Sequence, residues 1–155
     1  MEFLDIQNVS YDTFHELLNG YYRDGEDADT PQSQIDEFIA YLHDLCLSGQ
    51  ICGCIACERD PVGFVLWTVD SADGVFSQKP GYGTILEIGI IQTKRAMGIG
   101  KELAAYAESR MMTGRYYVCA YGPAEHFWSR CGYVYSGEVA ENGLKIMVKG
   151  DENGR

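Results

Sequence analysis

Arg95, Gly98, Gly100 and Lys101 carry the clearest chemical signal in the chain. They follow an apolar, β-branched stretch, Ile85 to Ile91, that reads as a strand. A turn from Gln92 to Met97 comes next, and a helical pattern then runs toward Thr113. A strand, a glycine-bearing turn and a helix present free backbone N–H groups and the positive end of a helix dipole, an arrangement that binds phosphate. Arg95 and Lys101 bracket the turn with positive charge. Two named phosphate patterns do not fit. The dinucleotide fingerprint needs a third glycine and an acidic residue about twenty positions on, where this chain has Arg115 and Tyr116. The ATP loop needs Ser or Thr after the lysine, where this chain has Glu102. A tight turn that binds nothing is the alternative for these residues taken alone.

The wider stretch resembles the central motif of the Gcn5-related N-acetyltransferases (GNAT). Ile88 and Ile90 occupy its alternating strand positions. Arg95, Gly98 and Gly100 occupy its turn positions, Ala96 stands for its first glycine, and Lys101 opens its helix. A second segment is similar to the motif that ends the family's fold. Ala124, Phe127, Gly132 and Tyr133 stand in register with it, while Tyr121 replaces a frequent Asn and Trp128 a frequent Tyr. The resemblance covers roughly residues 50–149. It implies an α/β fold, the acyl-CoA N-acyltransferase fold. That fold has a single mixed, mostly antiparallel twisted sheet with a splayed central strand pair, flanked by helices.

The resemblance also implies roles. The turn from Arg95 through Ala96, Met97, Gly98, Ile99 and Gly100 to Lys101 would grip the diphosphate of acetyl-CoA. Ile88 and Ile90 would pair with its pantetheine arm, the Ile90 N–H would face the developing oxyanion, and Phe127 and Trp128 complete the set contacting the cofactor. Glu87, on the strand face opposite Leu86, Ile88 and Ile90, is the implied general base; a surface or ion-paired carboxylate is the alternative. Trp128 has no ionisable proton where the family has its general acid, so Tyr121 is the replacement, unless the thiolate leaves unaided. The implied activity is direct acetyl transfer in a ternary complex to a primary amine, a small cationic amine foremost. A non-catalytic acyl-CoA-binding module is the competing reading, and Trp128 keeps it open.

The chain has 155 residues, enough for one domain, read here as residues 1–150 with a polar tail at 151–155. Residues 1–70 hold 14 of the 23 acidic side chains but 2 of the 12 basic ones. That half repels nucleic acid and anionic membranes and suits a cationic acceptor. Its densest run is Asp24 to Asp29, in the segment that often borders the acceptor site in the resembling family. A solvated acidic surface is the alternative. No apolar run is long enough for a membrane span. The first residues lack a positive leader, so a cytoplasmic location is expected. A homodimer is possible by analogy with the resembling proteins. Cys52, Cys54 and Cys57 read as core residues on a strand rather than metal ligands, so no metal is expected.

Other elements are expected around this centre. Residues 2–8 read as a first strand. A helix capped by Ser10 or Asp12 stops near Gly20, and a polar loop covers 21–29. A second helix, capped by Thr30, carries the apolar stripe Ile35, Phe38, Ile39, Leu42, Leu45 and Cys46, with His43 on or beside its polar side. Strands follow at 51–58 and 62–69, then a loop at 70–83 with local flexibility at Gly81–Gly83. Further strands are expected at 116–120 and 144–149.

Overall fold

The computed structural model describes residues 1–25, 27–74 and 77–150. Glu26 of the acidic run and the polar tail at 151–155 lie outside the described residues. Seven strands form one mixed sheet: β1 (Glu2–Asp5), β2 (Cys52–Cys57), β3 (Pro61–Val69), β4 (Gly83–Ile90), β5 (Tyr116–Ala120), β6 (Val134–Val139) and β7 (Lys145–Lys149). Their order is β1-β2-β3-β4-β5-β7-β6. The pairs β1–β2, β5–β7 and β6–β7 are antiparallel, and β4–β5 is parallel through Gly83↔Tyr116 and Thr84↔Tyr117. The helices are α1 (Tyr11–Arg23), α2 (Gln32–Leu47), α3 (Ile99–Met111) and α4 (Glu125–Arg130). The expected fold class holds. The chain groups into two compact units, Met1–Leu66 with Glu87–Leu103, and Trp67–Leu86 with the residues from Ala104 on.

In the first unit the opening strand ends at Asp5, and a 3-10 turn, Ile6–Asn8, replaces its expected continuation. Helix α1 is capped by Ser10, whose Oγ accepts from the Thr13 N–H at 3.2 Å. It does not stop at Gly20 but runs to Arg23. Phe14, Leu18 and Tyr22 recur every four residues on its buried face. That packing outweighs the roughly 1 kcal/mol an interior glycine costs. The expected Thr30 cap is also not made. Pro31 stands at the N-cap without a side-chain bond. The Thr30 hydroxyl instead donates to Asp27 Oδ1 at 3.2 Å, while its carbonyl accepts from the Arg23 guanidinium.

Two polar contacts tie α1 to α2: His15 Nε2 lies 2.7 Å from Asp36 Oδ1, and Gln32 Nε2 donates to Asn19 Oδ1 at 2.7 Å. The His15 contact holds the Asp36 carboxyl below the usual carboxylate range. His43 is buried, not on a polar face; the rings of Tyr11 and Phe14 lie 4.9 Å and 5.1 Å from it. Phe38, expected in the buried stripe, is exposed, with its ring edge-on to Tyr22.

Strand β2 is buried from Gly53 to Cys57. Cys52, expected to share a buried face with Cys54, is exposed at the strand's start. All six cysteines are thiols: Cys46, Cys54, Cys57 and Cys131 are buried and Cys119 is intermediate. Burial pushes the Cys46 thiol up to about 12 and raises Cys57 and Cys119. Among the described residues no cluster of His, Cys, Asp or Glu could hold a metal ion, and no helix is long and apolar enough to cross a membrane.

Glycine matters most at Gly63 of β3. A Cβ there would stand 2.7 Å from Ile90 Cδ1 and 2.9 Å from the Gly89 carbonyl oxygen. Backbone cannot yield as a flexible side chain can. Gly63→Ala is therefore expected to lower stability by roughly 1–3 kcal/mol, read as an earlier urea midpoint with an unchanged slope.

In the second unit Asp70 ties together described residues of the connection from β3 to β4. The buried Asp70 carboxylate accepts from the Gln78 and Lys79 N–H groups and from the Tyr117 hydroxyl, at 2.7–2.8 Å. The Asp70 carbonyl accepts from the Gly81 N–H, and Gly83 is already buried in β4. The flexibility expected at Gly81–Gly83 is thus replaced by a hydrogen-bonded clasp. Glu108 of α3 is buried in a second network, accepting from Tyr133 Oη and Lys149 Nζ at 2.8 Å. Strand β6 was not expected from the sequence pattern. Five of its six residues are exposed, so it carries no alternation of apolar and polar residues to read.

Candidate active site

Two features of the first unit carry chemistry, and β4 leads to both. The first is the turn after β4. It is anchored on each side: the Ile91 N–H donates to the Val62 carbonyl at 2.9 Å, Lys94 pairs with Glu58 at 2.9 Å, and Arg95 Nε donates to the Ile90 carbonyl at 3.1 Å. Between Arg95 and α3 the backbone is left-handed twice, at Ala96 (φ 64°) and Gly98 (φ 84°). Gly98 adopts this freely. Ala96 does so at a cost of about 1–2 kcal/mol, strain of the kind that clusters at ligand sites. Residues Arg95 to Gly98 are exposed, and a Cβ at Gly98 would meet nothing within 4 Å.

Helix α3 begins where this turn ends. Its first bond runs from the Glu102 N–H to the Gly98 carbonyl. The amides of Ile99, Gly100 and Lys101 thus have no acceptor in a preceding helical turn. Ile99 is buried and seats the helix, while Lys101 is exposed beside the open amides. Open space, outward amides, a helix dipole and two cations fit a diphosphate. Arg95 spends one donor, Nε, on the strand end, which fixes its guanidinium near the mouth.

The second feature is Glu87. Strand alternation puts it on the face shared with Gly89, against which Phe64 and Tyr21 are packed; Ile88 and Ile90 turn to the other face, where Ile90 approaches the Gly63 position. Glu87 keeps a fraction of exposed surface while its carboxyl is surrounded by protein. Desolvation is the main cause that pushes it up to about 7; Tyr22 opposes the rise and the Asp27 carboxylate adds to it. A carboxyl that exchanges a proton near neutrality suits general-base work.

The Phe127–Tyr133 segment lies in the second unit and has a local explanation. Gly132 (φ 97°) ends α4 in a left-handed cap. Its N–H donates to the Ser129 carbonyl, and the Tyr133 N–H reaches back to the Trp128 carbonyl. The Tyr133 and Trp128 rings then meet edge-on at 5.3 Å, with Phe127 4.9 Å from Trp128. Trp128 and Tyr133 are both buried, Phe127 is intermediate, and Tyr121 is exposed just after β5. Much of this motif is therefore a helix-capping signature.

The structure describes Glu87, Ile88, Ile90 and the 95–101 turn within one unit, and Tyr121, Phe127 and Trp128 within the other. The sequence reading missed Tyr22, which stands beside Glu87. Its signal in the chain is the four-residue spacing Phe14–Leu18–Tyr22, which continues past Gly20.

The family model described as "Acetyltransferase (GNAT) family" matches residues 11–133. The chain belongs to this family. No curated protein matches it in sequence. GNAT-type solved structures share its fold. The PaiA N-acetyltransferase of Thermoplasma acidophilum, in complex with coenzyme A, is 15% identical with a TM-score of 0.65, over 96% of this chain and 99% of that one. Tetrahymena Gcn5 is 12% identical with a TM-score of 0.67, over 96% and 95%. An aminoglycoside 6'-N-acetyltransferase complexed with coenzyme A is 15% identical with a TM-score of 0.64, over 96% of each chain. The GNAT resemblance read from Arg95–Lys101 and Ala124–Tyr133 therefore holds.

Proposed function

We propose that this GNAT protein transfers an acetyl group from acetyl-CoA to the primary amine of a small cationic acceptor, by direct attack within a ternary complex. The observation that carries the reading is Glu87, a surrounded carboxyl pushed up to about 7. It stands on the strand that feeds a turn shaped for a diphosphate. Acetyl-CoA supplies a thioester whose carbonyl the amine attacks. The amides from Ala96 to Lys101, with Arg95 and Lys101, would hold the diphosphate. Ile88 and Ile90 would line the pantetheine arm, with the Ile90 N–H toward the oxyanion and Phe127 and Trp128 completing the cofactor side.

An alkyl ammonium holds its proton to about pH 10 in water. The Glu87 carboxylate takes that proton, the freed nitrogen attacks the carbonyl to form the new C–N bond, the nitrogen sheds its second proton to solvent, and the C–S bond breaks with its electron pair leaving on the thiolate. Tyr121 is the candidate to return a proton to that sulfur. Asp27, whose charge reaches Glu87, favours a cationic acceptor over a neutral one. A cytoplasmic location belongs to the same reading.

The test is thiol release from acetyl-CoA against a panel of amines, with mass detection of the acetylated product. Transfer to di- and polyamines ahead of neutral amines is expected. Tight coenzyme A binding without transfer to any amine would favour the non-catalytic alternative, to which the buried Trp128, lacking an ionisable proton, lends weight.

A further inference from the structure

The Tyr22 side chain is buried, and its hydroxyl oxygen closes no hydrogen bond of ordinary geometry. A sealed hydroxyl without a partner costs roughly 1–3 kcal/mol, so a native structure is expected to use it. The ring is fixed edge-on between Tyr21 at 5.4 Å and Phe38 at 5.7 Å. The acceptor it couples to is the Glu87 carboxyl. Beside Glu87, α1 supplies Tyr22 and the loop after α1 supplies Asp27, while Tyr21 and the neutral ring of Phe64 pack against Gly89 on the same face of β4. Among the described residues, Tyr22 is the neutral donor acting on this carboxyl and Asp27 the charge that acts on it.

We infer that Tyr22 is a positioning residue for acetyl transfer: its hydroxyl donates to one oxygen of the ionised Glu87 and leaves the other oxygen to face the acceptor ammonium. The inference rests on Glu87 being the base. Burial and the neighbouring Glu87 raise the Tyr22 phenol far above its ordinary range, so it stays a donor at every working pH. The contact opposes the desolvation of Glu87 and keeps that carboxyl ionisable near neutrality. No proton leaves Tyr22; it stabilises the charged carboxylate and fixes its rotamer.

Tyr22→Phe keeps both ring contacts, so the fold is expected to be retained: at acid pH, where Glu87 is neutral, thermal stability should stay level or rise, and above neutral pH it should fall slightly as the carboxylate loses its donor. The carboxyl carbon of Glu87, labelled with 13C and assigned by its loss in Glu87→Gln, reports titration without reference to activity. In Tyr22→Phe that titration is expected to move up by about one pH unit, with the acid limb of kcat/KM moving alongside it. Transfer then falls about tenfold below neutral pH and converges with wild type at high pH, with KM for acetyl-CoA unchanged. An unmoved Glu87 titration, or a loss uniform across pH, overturns the inference. Full activity in Glu87→Gln would instead remove the base assignment itself, so the two failures are told apart.

Discussion

Glu87→Gln is expected to slow acetyl transfer at pH 7 by roughly 10²–10³-fold, within the range a positioned general base supplies. Coenzyme A affinity should be unchanged, because Glu87 stands within β4 and the Arg95–Lys101 turn follows the strand's end. The rate profile should also lose its rise through pH 7. At high pH, where acceptor amines shed their own protons, the gap should close. The same substitution should stabilise the protein. The Glu87 carboxyl is raised from 4.5 to about 7 in the folded chain. Its titration therefore favours the folded state below pH 4.5, and that contribution is lost as pH rises through 7. Above that point the native state holds an ionised, desolvated carboxylate, a cost of up to about 3 kcal/mol relative to a neutral amide. Urea unfolding at pH 8.5 should show the variant to be the more stable protein, and at pH 4 the difference should vanish. An unchanged transfer rate at pH 7 removes Glu87 from the mechanism.

Gly98→Asp should weaken cofactor binding strongly while leaving the fold intact. The position is left-handed, a region Asp and Asn enter more readily than other side chains, and an added Cβ meets open space. The harm is electrostatic. A carboxylate 5–6 Å from a phosphate charge, in a surface dielectric near 20, costs about 3 kcal/mol, or roughly 100-fold in affinity. Gly98→Asn has the same shape without the charge and should lose less than about tenfold. The difference between the two should shrink in high salt. Isothermal titration with coenzyme A reads all three quantities, and wild-type affinity in Gly98→Asp would move the diphosphate away from this turn.

What could be read in the chain beforehand was local. The turn after β4 is a matter of two glycines between a strand and a helix, and β5 was read at its true bounds because its apolar run is short and flanked by Gly114 and Gly122. The cap at Gly132 was visible as a motif although its mechanical reason was not. The failures were tertiary. His43 looks solvent-facing on α2 alone, and only the rings of Tyr11 and Phe14 on α1 enclose it. Thr30 looks like a helix cap until Asp27 and Arg23 engage it. Tyr22 owes its place beside Glu87 to a helix continuing past a glycine, a choice made by packing. The proton affinity of Glu87 depends on burial, which residue type and spacing do not encode.

The distribution of the thiols gives the molecule a built-in attachment point. Four of the six cysteines are buried and one is partly so, while Cys52 alone opens to solvent. A maleimide applied briefly at neutral pH should therefore add a single dye or spin label, at Cys52, without mutagenesis. Mass spectrometry after digestion would show one modified peptide, and a second adduct on the native protein would mean that the sheet opens more readily than its packing implies.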